Sequence, residues 1–186
     1  MARTDQLLNA YRKQVSMPLR PGLALNQRVW FAVYPPEEER RLALRLPEFE
    51  MATTEAGLEW VLIDLQRTLA DWIDTFDDDT KNTCLETPEI LEDYARPEYI
   101  KFLSFRINQA VASVPEDRRV KTVFALRGLM ELFDFIHVSD LVADIDARLT
   151  GILVVFFPGE REDNTYRFLG ARTGWDYLAV PISAES

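Results

Sequence analysis

Leu7, Leu8, Tyr11 and Val15 recur at spacings of one, three and four, which predicts an amphipathic helix over 4–15 with Thr4 as its cap. The pattern changes at 28–34, where Val29, Trp30, Phe31, Ala32, Val33 and Tyr34 form an unbroken apolar run closed by Pro35 and Pro36, the signature of a strand. Glu37, Glu38 and Glu39 then open a helix, because early acids suit the positive end of its dipole. Leu42, Leu44, Leu46 and Phe49 give that helix apolar surface, and Pro47 is expected to kink or end it. Residues 58–64 predict a second strand, so strand, helix and strand make one βαβ unit with a right-handed crossover.

Between 66 and 107 the chain reads as helix, acidic connection and helix. Leu69, Trp72, Ile73 and Phe76 mark one face, Ile90, Leu91 and Tyr94 another, and Asp77, Asp78 and Asp79 the loop that joins them. A further helix is predicted over 101–114 from Phe102, Phe105, Ile107, Val111 and Val114. A third strand over 120–126 leads through Arg127 and Gly128 into a helical or turn segment with Leu129, Met130, Leu132, Phe133 and Phe135. Ser139 is the expected cap of a helix over 140–149 striped by Leu141, Val142, Ile145 and Leu149. Ile152 to Phe157 predicts a buried strand that Pro158 and Gly159 stop, delivering a polar loop to the sheet edge. Residues 166–169 and 177–182 supply the last strands. This alternation predicts an α/β fold: one three-layer αβα domain spanning 1–186, with a mostly parallel central sheet of about five strands.

The composition, 47% hydrophobic and 28% charged in 186 residues, is that of a globular domain that needs neither a disulfide nor a structural metal. A formal net charge of -10 argues against direct nucleic-acid binding, which needs a surplus of Lys and Arg on at least one face. Only four of the 21 basic residues are lysine (Lys13, Lys81, Lys101, Lys121), and arginine is the better partner for carboxylates. An acidic, arginine-rich surface suits a protein that meets other proteins. Cys84 is the sole cysteine, the start lacks the apolar core of a secretory signal, and no apolar run exceeds six residues, against ~20 for a membrane helix. The expected address is the cytoplasm.

Motifs for catalysis and cofactors are weak throughout. None of the lysines follows a glycine and no Gly-x-Gly-x-x-Gly occurs, so neither phosphate-binding loop is written here. His137 with Asp140 and Asp144 has metal-ligand spacing on paper, but it lacks the second His or Cys that a zinc site wants. Asp74, Asp77, Asp78 and Asp79 lack the glycine and glutamate of a calcium loop, and Cys84 has no supporting motif as a nucleophile. No catalytic residue, metal site or cofactor is assigned. Two candidate surfaces remain. The first is the segment after Phe157, with Pro158, Gly159, Glu160, Arg161, Asn164, Tyr166, Arg167 and Arg172, read as a docking edge or pocket. The second is a ligand site at the carboxyl ends of the strands, with Asp64, Arg127 and Glu160 converging.

The series Phe157-Pro158-Gly159-Glu160, Tyr166-Arg167 and Gly174-Trp175-Asp176-Tyr177-Leu178-Ala179 resembles the C-terminal signature of the BrxB family, a component of bacterial BREX phage-defence systems. The resemblance extends through 28–34, the helix carrying Arg40, Leu42, Leu46, Phe49 and Glu50, and the strand over 60–65. Thr165, Gly170, Thr173 and Asp176 depart from the family pattern, where Asn, Asp, Asp and Asn are usual. The resemblance implies an accessory protein that helps assemble or regulate a complex which methylates host DNA and blocks phage replication. It implies a partner among the other BREX proteins, the PglZ-type protein first, and it supplies no catalytic residues to carry over.

Overall fold

The computed structural model describes residues 3–18, 22–87, 95–132, 136, 138–143, 145, 149–162, 165–168, 175–176 and 179–183. Strands β1 (Val29–Tyr34), β2 (Glu59–Asp64), β3 (Thr122–Arg127), β4 (Ile152–Glu162) and β7 (Val180–Ile182) lie in the order β2-β3-β4-β1-β7, and every pair along that path is parallel. Two short strands, β5 (Thr165–Phe168) and β6 (Trp175–Asp176), extend β4 as an antiparallel arm. The mostly parallel α/β sheet predicted from the sequence is therefore present.

Burial explains the order. β1 is buried at all six positions and β3 at five of six, as the middle of a sheet covered on both faces requires. β2 alternates poorly and carries exposed Leu62 and Asp64, so it takes an edge. β1 and β2 are consequently not neighbours: β3 and β4 lie between them, and the single βαβ unit expected from their spacing spans four of the five strands along that path.

One face is covered by α1 (Arg3–Val15) and α3 (Glu39–Glu55), whose Leu7, Leu8, Tyr11, Leu42, Leu46 and Phe49 pack on Trp30, Ala32, Val154 and Phe156. The other face is covered by α4 (Thr68–Ile73), the long α6 (Ala95–Ser113) and α8 (Val138–Ala143), packed on Phe31, Phe124, Leu126, Val155 and Phe157. Short helices α2 (Leu25–Arg28), α5 (Asp78–Glu86) and α7 (Glu116–Arg119) complete the chain order.

Several local expectations change. Thr4 lies inside α1 rather than capping it. Its backbone N–H, at 2.8 Å, and its hydroxyl both donate to the Glu38 carboxylate, so the cap arrives from 34 residues away. Asp77, Asp78 and Asp79 are not a loop. Asp77 caps α5 by accepting from the Thr80 N–H and hydroxyl, both at 2.9 Å, and the other two acids occupy the first turn. Pro47 sits within α3, which runs on to Glu55. Ser139 falls inside α8, which is shorter than the predicted 140–149. Pro158 and Gly159 do not stop β4: Pro158 stands opposite Tyr34 at the end of the parallel pairing, and Gly159 opens the antiparallel pairing with β5. The predicted strand over 177–182 begins only at Val180. Ile90, Leu91, Tyr94, Phe133, Phe135, His137, Asp144, Tyr177 and Leu178 lie outside the described residues.

The Thr4 hydrogen bonds hold the Glu38 carboxyl below its ordinary value of 4.5. A group with a lowered folded-state pKa contributes stability above its unfolded pKa and loses it as pH falls through the folded one. Glu38→Gln is therefore expected to cost about 0.5–1 kcal/mol at pH 7, a capping contribution discounted for solvent screening. That deficit should shrink as pH drops below 4.5, and urea titrations of both proteins at several pH values check it.

Candidate functional site

The chain leaves β1 toward α3 on one face and leaves β3 toward the opposite face, through a 3-10 turn at Leu129–Leu132 and then α8. Connections that diverge in this way open a crevice at the carboxyl ends of the strands, the usual ligand position in such sheets. Here β4, which lies between β1 and β3, runs on through that position into its antiparallel arm.

Tyr166 on that arm is 2% exposed, and its ring meets Phe31 at 4.7 Å and Phe157 at 5.8 Å between centroids. Burial pushes its phenol pKa up, partly offset by the charge of Arg161. Tyr166 is thus a core residue. Pro158 and Gly159 are buried in β4, and a Cβ at Gly159 would stand 2.1 Å from the Arg167 carbonyl oxygen. Glu160 and Arg161 are exposed, and Glu160 pairs across the strands with Arg167, an opposite-charge pair that favours this register. Asn164 and Arg172 lie outside the described residues. The proposed loop surface is in these parts a two-stranded arm pinned to the core by one tyrosine.

Of the strand-end trio, Asp64 and Arg127 come together. Arg127 Nη2 donates to Asp64 Oδ2 at 2.5 Å and to Gln66 Oε1 at 3.1 Å, while the Gln66 N–H donates to Asp64 Oδ1 at 3.0 Å. Glu160 stands further out. Leu126 pairs with Val155, so Arg127 is level with Phe156, and Glu160 lies four residues beyond, about 13 Å along the strand. Two turns interlock beside the pair: Arg67 adopts φ 64° and its N–H donates to the Glu131 carboxylate, while Gly128 adopts φ 85° against the Gln66 backbone. At the end of β1, Tyr34 donates its hydroxyl to Glu39. Burial first, then that carboxylate, raises its pKa above the ordinary 10.0, and Arg127 partly offsets the rise.

The arginine also lines a feature that the sequence did not announce. Between α3 and β2 lies an open groove of about 440 Å³, lined by Ala43, Leu46, Pro47, Glu50, Trp60, Leu62 and Arg127. It exists because α3 leaves the β2 edge only half covered, with Leu62 43% exposed. On the outer side of α3, Leu44 is 83% and Met51 49% exposed, seven residues apart on one helical stripe. The readable signal was Leu44, an apolar residue out of phase with the buried Leu42, Leu46 and Phe49. The Arg127 Nε is buried and has no hydrogen-bond partner among the described residues. A buried N–H without an acceptor costs roughly 1–3 kcal/mol.

Pro47 marks the same wall. Having no N–H, it cannot close the helical bond to the Ala43 carbonyl, and an interior proline costs a helix about 3 kcal/mol. Pro47→Ala restores the bond but gives the unfolded chain more freedom, so a net gain of about 1–2 kcal/mol is expected. Differential scanning calorimetry checks this as a rise in Tm.

No protein-family model matches the chain, and no similarity was found to a curated protein or to a solved structure. Among the described residues no group of three or more His, Cys, Asp or Glu is placed to hold a metal ion, and no helix is long and apolar enough to cross a membrane.

Proposed function

We propose that this chain is a non-catalytic accessory protein that works by docking onto another protein, in a BREX-type phage-defence complex with the PglZ-type component as its partner. The observation that carries the docking role is the open groove between α3 and β2, lined by Leu46, Trp60 and Leu62, with Leu62 43% exposed. Apolar side chains left in water along a groove are a common mark of a protein-binding site. The BREX assignment is supported by the sequence likeness at Phe157-Pro158-Gly159-Glu160, Tyr166-Arg167 and 174–179. Co-purification of the tagged protein with the products of its neighbouring genes tests both parts. A stoichiometric complex with the PglZ-type protein supports the reading, and elution of the chain alone at every salt concentration overturns it.

The unpartnered Arg127 Nε beside Asp64 favours a second reading, a small-ligand or nucleotide-binding domain with its site at the strand ends. A ligand at 100 times its dissociation constant stabilises by roughly 2.7 kcal/mol. A thermal-shift screen of nucleotides and divalent cations separates the two readings. The docking role predicts no shift, and a rise of roughly 5 °C or more would favour the ligand site.

A further inference from the structure

We infer that the groove between α3 and β2 receives an apolar side chain carried on a basic segment of the partner protein, an inference that rests on the docking role proposed above. Trp60, Leu62 and Leu46 give the groove its apolar lining. The α3 wall is a wall of acceptors: Glu50 contributes a carboxylate, and Ala43 a carbonyl that Pro47 has deprived of its helical donor.

Charge decides what the groove can receive. Asp64 already compensates the Arg127 guanidinium, so a partner carboxylate would enter beside Asp64 and Glu50 with no free cation in the lining to receive it. Arg40, on the same helical stripe one turn before Ala43, is exposed and outside the lining. Glu50 and the Ala43 carbonyl call for a Lys or Arg donor, and the formal net charge of -10 steers basic segments toward the chain. The occupant is therefore a leucine-like side chain flanked by lysine or arginine.

The test uses two acetylated and amidated amphipathic peptides, one of Leu and Lys and its twin with Glu for every Lys, titrated by calorimetry into the full chain. The basic peptide is expected to bind, with affinity at least tenfold weaker for Glu50→Lys and for Leu62→Glu, and the acidic twin to show no binding. Glu50 is exposed, so Glu50→Lys keeps an unchanged melt and the test holds even if Leu62→Glu melts early. Equal binding of the two peptides, wild-type affinity in both variants, or no binding of the basic peptide overturns the inference. Failure here with an intact partner complex removes the groove and leaves the docking function. Peptide binding that obeys the variants, without a partner complex, removes the phage-defence assignment and leaves the groove.

Discussion

Phe157→Ala is expected to remove about 3–5 kcal/mol of folding free energy, the largest single loss considered for this chain. Phe157 is fully buried in a central strand, its ring stacked on Phe31 at 5.5 Å and 13°, with Tyr166 closing a three-ring cluster. Truncation leaves a cavity in a part of the core with little freedom to collapse, because β1, β4 and the antiparallel arm are all fixed by backbone pairing. Folding free energies of ordinary domains are about 5–15 kcal/mol, so the variant should lose roughly 10 °C or more in Tm. Tyr166→Phe is the matched control. It keeps the ring cluster and removes only a hydroxyl, and its melt should stay within about 1 kcal/mol of wild type. A large loss of partner binding by Tyr166→Phe with an unchanged melt would return that residue to the functional surface.

Gly128→Ala is expected to cost about 2–4 kcal/mol, from left-handed backbone strain and steric overlap together. Gly128 has φ 85°, and a Cβ there would stand 2.6 Å from the Gln66 backbone nitrogen, which belongs to the turn that orders Asp64 and Arg127. Gly57→Ala isolates the first contribution: Gly57 has φ 77°, but nothing lies within 4 Å of its added Cβ, so only the strain of about 1–2 kcal/mol remains. Urea unfolding of both variants checks the difference, and equal losses would mean that the two turns are not packed as described.

The fold was legible because its strands are nearly unbroken apolar runs. Val29 to Tyr34 and Ile152 to Phe157 are buried on both faces, and a run of that kind leaves a parallel sheet with helices on each side as the economical solution. Strand order was not legible, because it depends on which run tolerates an edge, and the half-exposed β2 shows this only once its neighbours are known. The segment after Phe157 misled for a physical reason: proline and glycine ordinarily end strands, whereas here they sit where a parallel pairing ends and an antiparallel one begins. The Asp64–Arg127 pair followed from the rule for strand ends. The groove did not: out-of-phase Leu44 marks an exposed side of α3, but the gap between α3 and the β2 edge is set by packing that no spacing in the chain records.

Hydrogen–deuterium exchange of the protein alone and in complex with its partner tests the docking account most directly. The account predicts slowed exchange in α3 and β2, residues 39–64, with β4 and β5 unchanged beyond Phe157. Protection confined to Pro158 through Phe168, or none in either region, would contradict it.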